Sequence, residues 1–196
     1  MRPKTQLNRQ TAVPGVIGDP SDFLIIAGLS GSAQDIGAMT NGASNAYILG
    51  GAMGAPISMG LGLAVAQPSH NILVVLGDGE LLMSAGSLAT VAYMNPPNLS
   101  ILCVDNGCYG ETGNQVSATA GSTDLAVMAK GCGISDSLTI LTEAEFGKGS
   151  RSLRESSGPS FVLLIVSDAP PPDHKRNFDG VEGKIAFRRS CLRFKS

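Results

Sequence analysis

The chain has 196 residues, 43% hydrophobic and only 15% charged, with a formal net charge of −2. That length suits one domain with a substantial core, and the near-neutral balance excludes a nucleic-acid footprint. No apolar run approaches the roughly 20 residues of a membrane span, and so little charge implies that another subunit covers part of the surface.

Four cysteines, at 103, 108, 132 and 191, form no C-x-x-C pair. Neither a zinc site nor a disulfide framework is signalled, and a reducing cytoplasm fits. Met1-Arg2-Pro3-Lys4 is not followed by an apolar segment, so no signal peptide is expected.

Residues 1–22 are polar, carry Pro14 and Pro20, and read as a lead-in with room for a short helix. Phe23 to Ala27 reads as a buried strand running out into Gly28-Leu29-Ser30-Gly31. Residues 32–49 follow no single period, although Tyr47-Ile48-Leu49 fits a short strand before Gly50-Gly51-Ala52-Met53-Gly54. Ala55 to Ala66 is a small-residue helix, and Pro68-Ser69-His70-Asn71 is a turn that places His70 at the surface. Strand 71–76, helix 80–93, the turn Asn95-Pro96-Pro97-Asn98 and strand 99–105 form the clearest unit. A Gly-rich loop over 106–123 follows, then a helix near 124–131 and a strand near 138–141. Thr142 and Glu145 have capping-box spacing and open another helix before strand 160–166.

Continuous apolar strands alternating with helices predict an α/β fold of three layers, α/β/α, around a mostly parallel sheet. Residues 1–170 read as one domain. Residues 173–196 carry seven of the fourteen Lys and Arg without clear periodicity. We read 171–196 as a basic C-terminal tail that drapes over its own or a neighbouring subunit.

Asp78 in Gly77-Asp78-Gly79-Glu80 and Asn106 after Asp105 stand at the exits of two strands joined by one helix. Taken singly, each is an ordinary turn signal. Joined by a right-handed crossover, the two strand ends lie about 4.8 Å apart if the strands are neighbours. One carboxylate with neutral oxygens suits Mg²⁺ and leaves room for phosphate oxygens. The first N–H groups of the following helix, near Gly79 and Glu80, favour an anion at the same place. The glycines at 28–31 and 60–62 do not complete G-x-G-x-x-G, and no P-loop is present.

Gly77-Asp78-Gly79, then twenty-six residues, then Asn106 resembles the thiamine-diphosphate signature. Asp105 stands where the first asparagine of the usual pair is found. Gly77-Asp78-Gly79-Glu80-Leu81-Leu82-Met83 and Asp105-Asn106-Gly107-Cys108-Tyr109-Gly110-Glu111-Thr112-Gly113 are similar to phosphonopyruvate decarboxylases and sulfopyruvate decarboxylase β chains. The resemblance spans about 23 to 166 and implies the thiamine-diphosphate-binding fold with thiamine diphosphate and Mg²⁺ as cofactors.

It also implies roles. Asp78 and Asn106 would hold Mg²⁺ through side chains, and Cys108 through its carbonyl. Backbone N–H groups of Gly79 and Glu80, beside Gly77, would meet the diphosphate. Met53 would be the apolar wedge that bends the cofactor, Gly51 and Met53 would contact the aminopyrimidine through their backbone, and Ala52 between them would also border the cofactor. Tyr109, Gly110 and Glu111 lie just past the metal, where Tyr109 and Glu111 would face a 2-oxo acid; Glu111 reads equally as a solvated loop residue. His174, in the basic segment, is a weaker candidate for an anionic substrate.

This chemistry needs a second half that binds the pyrimidine and supplies a glutamate. The implied assembly is therefore a homo- and hetero-oligomer with a pyrimidine-binding, α-type chain, inactive without it. Two other readings carry the same signature: the β subunit of a 2-oxo acid oxidoreductase, and a non-catalytic cofactor-binding module. The cysteine positions match no iron–sulfur cluster.

Overall fold

The apolar strands build one parallel sheet. A computed structural model describes residues 5–175, 177 and 179–193. Strands β1 (Leu24–Ala27), β2 (Ala46–Ile48), β3 (Ile72–Gly77), β4 (Leu99–Asp105), β7 (Asp136–Ile140) and β8 (Ser160–Ile165) pair in the order β2-β1-β3-β4-β8-β7. Every pairing is parallel. The short strands β5 (Cys108–Tyr109) and β6 (Gln115–Val116) form a separate antiparallel hairpin.

Helices cover both faces, which is why the central strands β1 and β3 are continuous apolar runs, buried along nearly their whole length. Leu24, Ile72, Val74, Ile101, Cys103 and Phe161 point into one core. Ile25, Leu73, Val75, Leu102 and Val162 point into the other. The first core is closed by α3 (Pro56–Ala66), α5 (Ser87–Met94) and α6 (Leu125–Gly131). The second is closed by α1 (Arg9–Ile17), α2 (Gly31–Thr40) and α7 (Phe146–Glu155). The capping box of Thr142 and Glu145 is present and leads into α7. No helix among the described residues is long and apolar enough to cross a membrane.

Three segments depart from the sequence reading. The helix expected over 80–93 is two: α4 (Asp78–Leu82) and α5, joined by a stretch in which Ser84, Ser87, Leu88 and Ala89 each bond three residues back. Ser84, Gly86 and Ser87 are weak helix formers, and the break sets Ser84 against Gly54. The loop 106–123 contains the β5–β6 hairpin. Finally, Gly180–Arg193 is a helix, α8, not an irregular tail. It buries Phe187 and Cys191 in the first core, and Phe187 meets Tyr47 of β2 at 5.8 Å between ring centroids.

The amino-terminal ends of the strands are held by side chains that bond to backbone. Asn98 donates to the carbonyls of Ala64, Gln67 and His70. Arg154 binds Asp22 and the carbonyl of Ile17, and its guanidinium lies 4.7 Å from the Phe23 ring centre. His70 lies in the turn before β3 and meets Ser69 Oγ, as the sequence placed it.

Two glycines of α3 separate packing from propensity. A Cβ at Gly60 would lie 2.2 Å from Val74 Cγ2, whereas one at Gly62 meets nothing within 4 Å. Gly60→Ala is expected to destabilise by about 1–3 kcal/mol and Gly62→Ala to stabilise by about 0.5–1 kcal/mol. Urea midpoints of the two variants, moving in opposite directions, check this.

Candidate cofactor and metal site

The β3–β4 register sets Gly77 opposite Val104. The next residues, Asp78 and Asp105, therefore leave the sheet side by side, and Asn106 follows. Sequence order reverses between β1 and β3: β1 turns into α2 on one face, β3 into α4 on the other. The strand ends diverge there and open a crevice. A cavity of about 940 Å³ occupies it.

Asp78 is only 2% exposed. Its Oδ2 accepts hydrogen bonds from Ser117 Oγ and, at 2.8 Å, from Thr119 Oγ1. Among the described residues no hydrogen bond reaches its Oδ1, and the residue lines the cavity. Asp105 Oδ1 accepts from Gly107 N and from Thr119 Oγ1. Asn106 lines the cavity, and its Oδ1 accepts from Cys108 N at 3.2 Å, leaving one lone pair. Burial, with the nearby Asp78, Asp105 and Glu80, pushes the Cys103 thiol well above its ordinary range, so it stays protonated and inert.

These residues fit a hard cation. Asp78 is a buried carboxylate with no cationic side chain paired to it among the described residues. The donors are oxygens, which suits Mg²⁺ over softer metals. No group of three or more His, Cys, Asp or Glu side chains forms a cage among the described residues. The remaining positions would fall to backbone, water or phosphate, the usual arrangement for Mg²⁺.

Gly79 has a steric role. A Cβ there would lie 2.3 Å from the Tyr109 ring, so the absence of a side chain lets that ring cover the Gly-Asp-Gly turn. The anion-favouring N–H groups belong to a helix of only five residues, so they act locally rather than through a long helix dipole.

Glu80 does more than favour a helix start. Its carboxyl turns inward and is 4% exposed. Oε2 accepts from Leu29 N at 3.3 Å across the crevice, and Gly28 has no room for a side chain beside it. Among the described residues Oε1 has no hydrogen-bond partner of good geometry, and neither do the buried hydroxyls of Ser84 and Ser87. Burial raises the Glu80 pKa to about 7, against the pull of backbone N–H groups from Leu29, Gly77 and Gly54.

Gly77, Asp78, Gly79, Glu80, Met53, Asn106, Cys108, Tyr109, Gly110 and Glu111 all border the cavity. Gly51 and Ala52 do not; they are exposed on the loop before α3. Met53 is 37% exposed. The sequence reading missed Arg9, Ser30 and Gly31, which also border the cavity, and the segment Asp168–Asp173 that forms one wall. Arg9 is buried and pairs with Asp35 at 2.6 Å; burial lifts the Asp35 pKa while Arg9 pulls it down. Only that partner, 26 residues away, distinguishes Arg9 from a solvated lead-in residue. Ser30 follows a strand exit as Asp78 does, and its φ of 57° is a strained value for a serine. His174 sits against Gly37 of α2 and is not among the cavity residues.

Glu80 makes the metal-free chain less stable as pH rises. The unfolded glutamate loses its proton near 4.5 and the folded one near 7. Between those values the unfolded state binds fewer protons, so stability falls with rising pH. The expected fall is about 2 kcal/mol from pH 4.5 to 7.5. Urea titrations of wild type and Glu80→Gln across that range should show the fall in wild type and a flatter profile in the variant.

Comparison with known proteins agrees with this geometry. Residues 27–164 match the family described as thiamine pyrophosphate enzyme, C-terminal TPP binding domain. Sulfopyruvate decarboxylase subunit beta of Methanocaldococcus jannaschii is 46% identical over 104 residues, 53% of this chain and 54% of that one. The chain thus spans about half the length of that relative. The corresponding subunit of Methanococcus maripaludis is 30% identical over 176 residues, 90% of each chain. Benzoylformate decarboxylase of Polynucleobacter necessarius has the same fold, with a TM-score of 0.69, 15% identity, and coverage of 88% of this chain and 35% of that one. The chain therefore belongs to the thiamine pyrophosphate enzyme family, with its C-terminal TPP binding domain over residues 27–164.

Proposed function

We propose that this chain is the diphosphate- and Mg²⁺-binding subunit of a thiamine-diphosphate-dependent 2-oxo acid decarboxylase, and that a separate pyrimidine-binding chain completes the site. The observation that carries this reading is Asp78. Its buried carboxylate keeps one oxygen for the cavity, at the exit of a strand whose parallel neighbour delivers Asn106. Asp78 and Asn106 would hold Mg²⁺ with the Cys108 carbonyl, and the N–H groups of Gly79 and Glu80 would take the diphosphate. Met53 would support the bent cofactor from the cavity rim. Gly51 and Ala52 stand on an exposed loop, open to the pyrimidine and to the second chain. When bound, thiamine diphosphate supplies the electron sink for the carbon that loses CO₂. Tyr109 and Glu111 border the space past the metal, where they would orient the substrate and limit water.

Sulfopyruvate and phosphonopyruvate are the substrates to which the loop Asp105–Gly113 and the named relatives point. The sulfopyruvate decarboxylase relatives are named as beta subunits, which supports a second chain supplying the glutamate that helps deprotonate the cofactor. We assign residues 1–170 to the cofactor domain and 171–196 to an appended segment. The four free cysteines fit a reducing cytoplasm.

Purified alone with thiamine diphosphate, Mg²⁺ and a panel of 2-oxo acids, the chain should release no CO₂. Together with its co-purified partner it should decarboxylate a sulfonated or phosphonated 2-oxo acid, and Asp78→Ala should lower that rate at least about 100-fold. Robust turnover by the isolated chain would overturn the divided site. An acyl-CoA product in place of an aldehyde would favour the oxidoreductase.

A further inference from the structure

We infer that Ser117 and Thr119 are positioning residues for the metal carboxylate, a pair of hydroxyls that presents one oxygen of Asp78 to the cation and ties the 107–119 loop to the site. The inference rests on the reading of Asp78 as a divalent-cation ligand. Neither residue borders the cavity, and neither belongs to the Gly-Asp-Gly or Asn106 segments.

Both side chains are buried, at 4% and 1% exposure. Ser117 Oγ donates to Asp78 Oδ2. Thr119 Oγ1 lies 2.8 Å from the same oxygen, 2.9 Å from Asp105 Oδ1 and 2.8 Å from Ser117 Oγ. Backbone geometry brings them there. Asp105 and Asn106 accept from the N–H groups of Gly107 and Cys108, which curls the chain after β4. The β5–β6 hairpin then reverses it, and Ser117 N donates to the Gly107 carbonyl at 2.9 Å, closing the loop at its base. Ser117 and Thr119 thus reach Asp78 from 39 and 41 residues away.

The arrangement has two consequences. With both hydroxyls on Oδ2, Asp78 can offer the cation only Oδ1, so it binds through one oxygen in a fixed direction. Each hydroxyl also has a single proton. With the Ser117 proton on Asp78, the Thr119 proton can reach Asp78 or Asp105 but not both. A cation on Oδ1 draws charge from Asp78 and frees the Thr119 proton for Asp105. Metal loading and loop order are therefore linked through one hydroxyl rotor.

The test uses the chain together with its co-purified partner, with thiamine diphosphate and Mn²⁺ as the probe, reading free Mn²⁺ by electron paramagnetic resonance. Ser117→Ala and Thr119→Val should each weaken Mn²⁺ binding about 10–100-fold, the usual effect of losing a group that orients a ligand. Thr119→Ser, which keeps the hydroxyl, should bind close to wild type. Hydrogen exchange of 107–119 should slow on Mn²⁺ addition in wild type and not in the two variants. Unchanged exchange in β4 and β8 certifies folding, and either variant decides alone if the other fails to fold. Wild-type affinity in Ser117→Ala and Thr119→Val, with binding abolished by Asp78→Ala, overturns the hydroxyl pair and leaves the metal reading intact. A wild-type chain that takes up no Mn²⁺, or uptake that survives Asp78→Ala, overturns the metal reading and the inference with it.

Discussion

The parallel pairing of β3 with β4 is the constraint on which the site depends. It is fixed by burial on both faces: Leu73 and Val75 enter one core, Ile72, Val74 and Leu76 the other. A slip of one residue would exchange the two sets and carry Asp78 to the wrong height beside Asp105. The placement of Asp78 beside Asp105 is thus specified by apolar residues buried in the two cores.

Around that pair, the cavity gathers charge that the apolar layers below cannot tolerate without partners. Asp78 is held by two hydroxyls and Glu80 by the N–H of Leu29 across the crevice. Glu80 thereby couples the β1 exit to the β3 exit, and Tyr109 lies over Gly79 between them. The cavity walls come from segments far apart in sequence but share a few buried contacts, so they are placed together rather than one by one.

Much of this was legible in the sequence, for identifiable reasons. Continuous apolar runs ending in Gly-Asp-Gly and Asp-Asn-Gly marked strand exits, and one helix-length spacer implied neighbours. The capping box at Thr142 and Glu145 worked through local bonds and was found. What escaped was decided by tertiary contact. The break at 83–86 falls on weak helix formers and sets Ser84 against Gly54, within an apolar pattern that runs through it. α8 buries positions 187, 190 and 191, but only Phe187 and Cys191 there are apolar, so its period was hidden among Lys and Arg. Ser117 and Thr119 sit in a loop with no local signal; their partner is some forty residues away. Glu80 looked like a residue that favours a helix start, and its inward turn is visible only once Gly28 is seen to leave it room.

The polar satisfaction of the molecule is uneven from one end to the other. At the amino-terminal ends of the strands, Asn98 and Arg154 bond to several carbonyls each. At the carboxyl-terminal ends, Glu80 Oε1, Ser84 Oγ and Ser87 Oγ are buried without a hydrogen bond of good geometry among the described residues. A buried polar atom without a partner costs roughly 1–3 kcal/mol, and that cost is recoverable by whatever supplies the missing bond. Of these residues Glu80 borders the cavity, so a group docking there can relieve a deficit already present in the fold.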